Sequence, residues 1–244
     1  MQEPRSAAND AESAAPEAPV EGLRAYLRDG AVRGRTTEDV TSALREAILD
    51  GFLSPSTWLR ESDLAEAFKV SRTPIREALQ RLADEGLAVK TAHHGAMVAS
   101  LSLEDVLALY VVREDLEGLA ARLAAVRCPA GLVDQLDDIN SSMRDAVERV
   151  DITALSKLNL SWHRALRTGA ANPYLERFLN QVEHAVRRLP ATTLVHPGRS
   201  DEVLAEHDAI ARAVQARDGG TAEREARAHM RRAREIRLAV LIGT

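Results

Sequence analysis

From Ser102 to the end of this 244-residue chain, apolar residues recur every three or four positions almost throughout, with breaks mostly at proline or paired glycine. That spacing puts the apolar side chains on one stripe of a helix, which must be buried against other helices. The breaks fall before Pro129, at Asn172-Pro173, at Pro190, in the segment His196 to Ser200, and at Gly219-Gly220. Ser102, Asp151 and Ser200 have the side chains of helix N-caps, and proline suits a first helical turn. One helix is expected from Ser102 to before Pro129, another from Asp151 to about Ala170, a third from Pro173, a fourth from Ser200 and a last over about 221 to 241. Aromatic residues make up only 3% of the chain and β-branched runs are rare, so a large sheet is excluded. Residues 100–244 therefore read as an antiparallel all-helical bundle.

The segment before it is built differently. Residues 1–35 are rich in Ala, Glu and Pro with weak periodicity, and are expected to form a disordered arm. Over residues 36–99 three short helices are predicted. The first, behind a Thr37 cap, carries Val40, Leu44, Ile48 and Leu49. The second, behind Ser62, carries Leu64, Ala65 and Phe68. The third, from Ser71, carries Ile75, Ala78, Leu79 and Leu82 and stops at Gly86. Alternation through LAVKTAHHGAMVA, interrupted by Gly95, predicts a small β-hairpin.

Composition removes several classes of function. No run approaches the 18 to 20 apolar residues that cross a bilayer, and no apolar signal segment opens the chain, so no membrane association is expected. Cys128 is the single cysteine, which excludes a disulfide framework and a thiolate zinc site and suits the cytoplasm. The formal charge of −5 argues against a protein coated in nucleic acid, so any DNA contact must depend on local placement.

Such a placement exists at the start of the third helix. Ser71, Arg72, Thr73 and Arg76 set two guanidiniums and two hydroxyls beside a helix N-terminus. Unpaired N–H groups there attract phosphate, and a guanidinium can grip guanine O6 and N7 together. Two short helices, a tight link and a hairpin make a winged helix-turn-helix. The stretch LRESDLAEAFKVSRTPIREALQRLADEGL, followed by HHGAMV, resembles the winged helix-turn-helix of the GntR family of bacterial transcription regulators. The resemblance implies that Ser71, Arg72, Thr73 and Arg76 contact a double-stranded DNA operator, with His94 and Gly95 at the wing tip. Ser62 stands where many relatives carry arginine.

The bundle carries its own polar pattern. Val106, Leu109, Arg113, Leu116, Ala120 and Leu123 form one seam, in which Arg113 needs an anion such as Glu117 or a bound carboxylate. Asn159 and His163 lie one turn apart on the next polar-bearing helix, and His207 and His229 occupy the seams of two later ones. Three histidines and an amide converging from three helices suit a divalent metal ion, Zn or Ni by ligand type. His184 and His196 fall outside the pattern.

WHRALRTGAANPYL and EHDAIARAV resemble the FadR-like branch of the same family, with its all-helical FCD ligand-binding domain. The resemblance implies that Asn159, His163, His207 and His229 hold the metal and that a small carboxylic acid is the effector. Arg113 would neutralise that acid and Asn172 would donate a hydrogen bond to it. A homodimer is expected, because two-fold protein symmetry would be mirrored in paired half-sites. The alternative is a metal-dependent HD-type hydrolase built on His207-Asp208; no general base is evident for it, and no enzyme activity is expected.

Overall fold

The computed structural model describes residues 19, 21–27, 36–91, 95–189 and 192–242. They fall into two compact units, one of Met1–Ser100 with His184–Arg188 and one of Leu101–Glu183 with Leu189–Thr244. Helix α1 spans Thr37–Leu49, α2 Glu61–Phe68 and α3 Arg72–Asp84, while strands β1 Trp58–Arg60, β2 Ala88–Thr91 and β3 Gly95–Val98 form an antiparallel sheet in the order β1-β3-β2. Chain order and sheet together are those of a winged helix-turn-helix.

The core of this unit gathers Leu44, Ile48, Leu64, Phe68, Ile75, Leu79, Leu82, Leu87 and Val98. Each such side chain contributes roughly 1.5–3 kcal/mol on leaving water. The predicted hairpin is β2 and β3, with Val89 opposite Met97 and Thr91 opposite Gly95. Strand β1 was absent from the sequence reading: three residues of Trp-Leu-Arg are too short for alternation to register. It pairs Arg60 with Gly95. A Cβ on Gly95 would lie 2.1 Å from the Leu59 carbonyl oxygen, and its φ of 146° is one that side chains rarely adopt, so β3 approaches β1 only with glycine there.

Several boundaries shift for physical reasons. Thr36, not Thr37, caps α1, in a reciprocal pair with Asp39. Ser62 does not cap α2, which already begins at Glu61, and its hydroxyl donates to Asp63 instead. Within the stretch read as a disordered arm, Leu23–Tyr26 forms a 3-10 turn whose Leu23 is fully buried. Residues 1–18, 20 and 28–35 of that arm, His94 and Pro190 lie outside the described residues.

Among the described residues six α-helices follow: α4 Leu103–Arg127, α5 Leu132–Glu148, α6 Ile152–Gly169, α7 Pro173–Arg187, α8 Arg199–Gln215 and α9 Gly219–Ile242; all belong to the second unit except the last residues of α7, from His184. Ser102 and Asp151 cap α4 and α6 as expected. Ser200 does not cap α8; it lies in the first turn and donates to the Leu194 carbonyl, with Gly198 at the cap. The pair Gly219-Gly220 opens α9 instead of preceding it, and Gly118 lets α9 press against α4, since a Cβ there would meet Arg227 Cγ at 2.6 Å.

The buried face of α4 is rotated from the predicted seam. It carries Val106, Tyr110, Arg113, Glu117, Ala120 and Ala124, while Leu109, Leu116 and Leu123 are only half-buried. Trp162, fully buried on α6, anchors the middle of the bundle.

Candidate functional site

In the first unit, α3 divides cleanly. Ile75, Ala78, Leu79 and Leu82 face the core, leaving Ser71, Arg72, Thr73 and Arg76 exposed together. Ser71 makes no side-chain bond to the helix it precedes, so its hydroxyl is not spent on capping. Arg76 is engaged: Nε and Nη2 donate to the two carboxylate oxygens of Glu61 at 3.0 and 2.8 Å. This bidentate bond holds the Glu61 carboxyl below its usual range. Glu61, the first residue of α2, thereby sets the direction of the Arg76 side chain. Gly95 lies buried at the start of β3.

In the bundle, α6, α8 and α9 bring His163, His207 and His229 together, all buried, with their ligand atoms within 4.8 Å of one another. The Nε2 atoms of His163 and His229 are 3.3 Å apart, and His207 Nε2 is buried without a hydrogen-bond partner. Trp162 stacks on the His207 ring with centroids 3.7 Å apart, which fixes the plane of that ring.

The opposite nitrogens explain this convergence. His229 Nδ1 lies 2.5 Å from Glu206 Oε2, and Arg199, itself fully buried, sits on the same carboxylate at 2.8 Å. His207 Nδ1 lies 3.3 Å from Asn140 Oδ1. His163 Nδ1 lies 3.5 Å from Glu117 Oε2. A carboxylate accepts only, so His229 donates its Nδ1 proton to Glu206, while His163 Nδ1 lies beside Glu117 without a hydrogen bond. The Asn140 amide is oriented by Asp208, which accepts from Asn140 Nδ2 at 3.0 Å and from Arg144, so its oxygen faces His207. The Nε2 atoms of His163 and His229 meet at one buried centre, with the unpartnered Nε2 of His207 in the same cluster.

Burial pushes His229 down to about 4, against the opposing effect of the hydrogen bond it donates to Glu206. Burial also pushes His207 well below its ordinary value, helped by the neighbouring imidazoles. For Glu117 burial acts upward, but His163, Arg113 and Arg167 overcome it and hold the carboxyl at about 2. Tetrahedral Zn–N bonds of about 2.0–2.1 Å place their nitrogens about 3.4 Å apart, close to the 3.3 Å between His163 and His229 Nε2.

The other sequence-predicted residues fall as follows. Asn159, one turn before His163, has a buried Oδ1 without a partner. Arg113 is buried and finds its anion in Glu117 at 3.6 Å, with its guanidinium 5.6 Å from the Tyr110 ring centre. Asn172 Oδ1 accepts from the backbone N–H groups of Tyr174 and Leu175 at 3.2 Å each, so its oxygen caps α7. Asp208 is committed to Asn140 and Arg144 and does not join the cluster, which removes the aspartate an HD-type hydrolase needs.

Sequence reasoning missed Asn140, Glu206 and Arg199. A signal existed for each. Asn140 is a polar residue in the Leu136–Met143 seam, and Arg199 precedes Glu206 by two helical turns.

Comparison with known proteins places these features in context. Residues 36–98 match the family described as bacterial regulatory proteins, gntR family, and residues 108–232 match the FCD domain. The chain is 28% identical over 193 residues to the HTH-type transcriptional repressor RspR of Escherichia coli, covering 79% of this chain and 85% of that protein. It is also 28% identical over 190 residues to the uncharacterized HTH-type transcriptional regulator YdhC of Bacillus subtilis, covering 76% and 84%. Among solved structures, E. coli McbR/YncC has the same fold, with a TM-score of 0.70 at 20% identity over 86% of this chain and 100% of the other.

Proposed function

The chain belongs to the GntR family of bacterial regulatory proteins, with an FCD domain in its C-terminal half, and we propose that a small carboxylic acid, held on a divalent metal ion inside that domain, modulates its binding to operator DNA. It is a DNA-binding transcription regulator and not an enzyme. Among the described residues no helix is long and apolar enough to cross a membrane. The protein acts on double-stranded DNA in the cytoplasm, as a homodimer on paired half-sites.

In this reading Ser71, Arg72, Thr73 and Arg76 enter the major groove, with His94 and Gly95 on the wing beside it. Arg72 and Arg76 supply bidentate donors for guanine, and the α3 N-terminus supplies N–H groups for phosphate.

The observation that carries the effector half is the convergence of three buried imidazoles, with His207 and His229 held from behind by Asn140 and Glu206. His163, His207 and His229 hold the metal, and the orphaned Oδ1 of Asn159 completes the set as a neutral oxygen donor. The ion supplies a Lewis-acidic positive charge to which a carboxylate binds. Arg113, buried against Glu117, adds a second positive group for that carboxylate. Asn172 keeps only its Nδ2 donor for the effector, since its oxygen is engaged at the helix cap. An acid that prefers one packing of the bundle shifts operator affinity by its differential affinity for the two packings.

The test is fluorescence anisotropy on an operator selected from genomic fragments, using metal-loaded protein and a panel of small hydroxy- and dicarboxylic acids. Support is an acid that shifts operator affinity in the wild type and has no effect in His207→Ala. A panel that neither stabilises the protein nor shifts operator affinity overturns the effector reading.

A further inference from the structure

The winged unit has one built element ahead of α1. Residues 22–27, Gly-Leu-Arg-Ala-Tyr-Leu, precede the stretch 36–98 that carries the family match, yet they pack into the core of the same unit. Leu23 is fully buried in the cluster of Leu44, Ile48, Leu64 and Phe68, with Tyr26, Leu27 and Phe52 packed against it. The rings of Tyr26 and Phe52 lie 5.6 Å apart. The 3-10 turn Leu23–Tyr26 thereby rests on α1 and α2 together.

From this turn Arg24 reaches the end of α2. A helix leaves its last four carbonyls without donors of its own. In α2 the Ala65 and Glu66 carbonyls accept from the N–H groups of Val70 and Lys69, at 3.1 and 3.2 Å, as the chain bends through Lys69 at a φ of 54°. The Ala67 carbonyl is taken by Arg24, whose Nε donates to it at 2.5 Å. A cation there also complements the negative end of the helix dipole. Only Lys69, Val70 and Ser71 separate α2 from Arg72, the first residue of α3. The direction in which α3 leaves α2 is therefore set over three residues, and Arg24 holds the helix end from which they depart.

We propose that residues 22–27 form a clasp of the DNA-reading unit, and that Arg24 is a positioning residue for operator recognition. By holding the Ala67 carbonyl it fixes the turn that presents Ser71, Arg72, Thr73 and Arg76. The inference rests on the reading of α3 given above and adds a part that acts without touching DNA. Arg24 is itself exposed, so direct contact with a phosphate is the competing role, and salt separates the two. A cation that neutralises a phosphate contributes about one to the slope of log affinity against log salt concentration. A positioning residue contributes nothing to that slope.

The test is fluorescence anisotropy of the full-length protein on the selected operator over a salt series, with Arg24→Ala and Arg24→Lys beside the wild type, together with amide hydrogen exchange. The expected Arg24→Ala protein keeps its helical circular dichroism and its salt slope, binds the operator at least fivefold more weakly, and exchanges faster at the Lys69 and Val70 amides. Arg24→Lys can still donate to the carbonyl and should recover most of the lost affinity. A loss below fivefold in Arg24→Ala, or unchanged exchange at Lys69 and Val70, overturns the clasp while leaving the reading of α3 intact. So does a salt slope lowered by about one, which makes Arg24 a phosphate contact, or an Arg24→Lys protein no better than Arg24→Ala. An Arg24→Ala protein without its helical signal makes the bond purely structural and overturns the positioning role. A wild type that selects no operator overturns both readings.

Discussion

Glu206 stands behind His229, its carboxylate 2.5 Å from the ring Nδ1, so the Nε2 of that ring points at the Nε2 of His163. Asn140 does the same for His207 from a different helix. The imidazoles are thus aimed from outside the centre, and the residues that aim them are as testable as the ligands. Glu206→Gln and Asn140→Leu should each weaken metal affinity about 10- to 100-fold, measured by competition with a chromophoric chelator. Operator affinity of the metal-free protein should stay unchanged, because neither residue lies in the winged unit.

Metal binding should stabilise the fold. An ion at 100 times its dissociation constant adds about 2.7 kcal/mol to unfolding. The thermal midpoint of the loaded protein should therefore fall on treatment with a chelator and recover on adding Zn²⁺ or Ni²⁺. In His163→Ala it should not respond to either.

Stability of the metal-free protein should depend on pH in a defined window. His229 titrates at about 4 in the fold against 6.5 for an ordinary histidine, and His207 is also pushed down. Between those values the unfolded chain binds more protons, so stability is full above pH 6.5 and is lost as the pH falls toward 4. For His229 the loss is on the order of 3 kcal/mol. Glu117, held at about 2, and Glu183, held low despite burial by Arg164 and Arg167, add their losses only below the ordinary carboxylate range. Urea midpoints at half-unit pH steps read this directly; a flat profile from pH 6.5 to 4.5 contradicts the buried neutral cluster.

On the DNA side, Arg72→Ala should cost about 1–3 kcal/mol of operator binding and relax base choice at one position of each half-site. Binding should fall steeply with salt as phosphate contacts release counterions. Glu61→Gln removes the carboxylate that fixes Arg76, so it should change selectivity more than overall affinity, as read by anisotropy on operator variants.

Gly95 and His94 should separate by what they disturb. Gly95→Ala forces a Cβ against the Leu59 carbonyl and should destabilise the winged unit by about 2 kcal/mol or more. His94→Ala should leave the thermal midpoint unchanged and lower operator affinity.

The sequence was legible where one periodic pattern met one chemical need. The α3 amphipathicity, the caps at Ser102 and Asp151, and three histidines at inward positions all followed from spacing. The α4 seam was read one face over, because α4 is apolar on two sides and periodicity alone cannot say which side meets the bundle. Strand β1 was missed because its partner, β3, is distant in sequence. The groups that aim the imidazoles were missed because their meaning depends on which helix lies opposite, and that is fixed only by packing. Asp208 illustrates the point: adjacency to His207 suggested it only for the alternative hydrolase, and nothing in the sequence says that in the fold it accepts from Asn140.

Metal stoichiometry is the most direct measure of the claim that the three converging nitrogens form a binding centre. Protein purified without chelator and analysed by inductively coupled plasma mass spectrometry should carry close to one divalent ion per chain, and none in a His163→Ala, His229→Ala double variant that retains its helical signal. Near-zero metal in both, with no uptake from added Zn²⁺ or Ni²⁺, would contradict it.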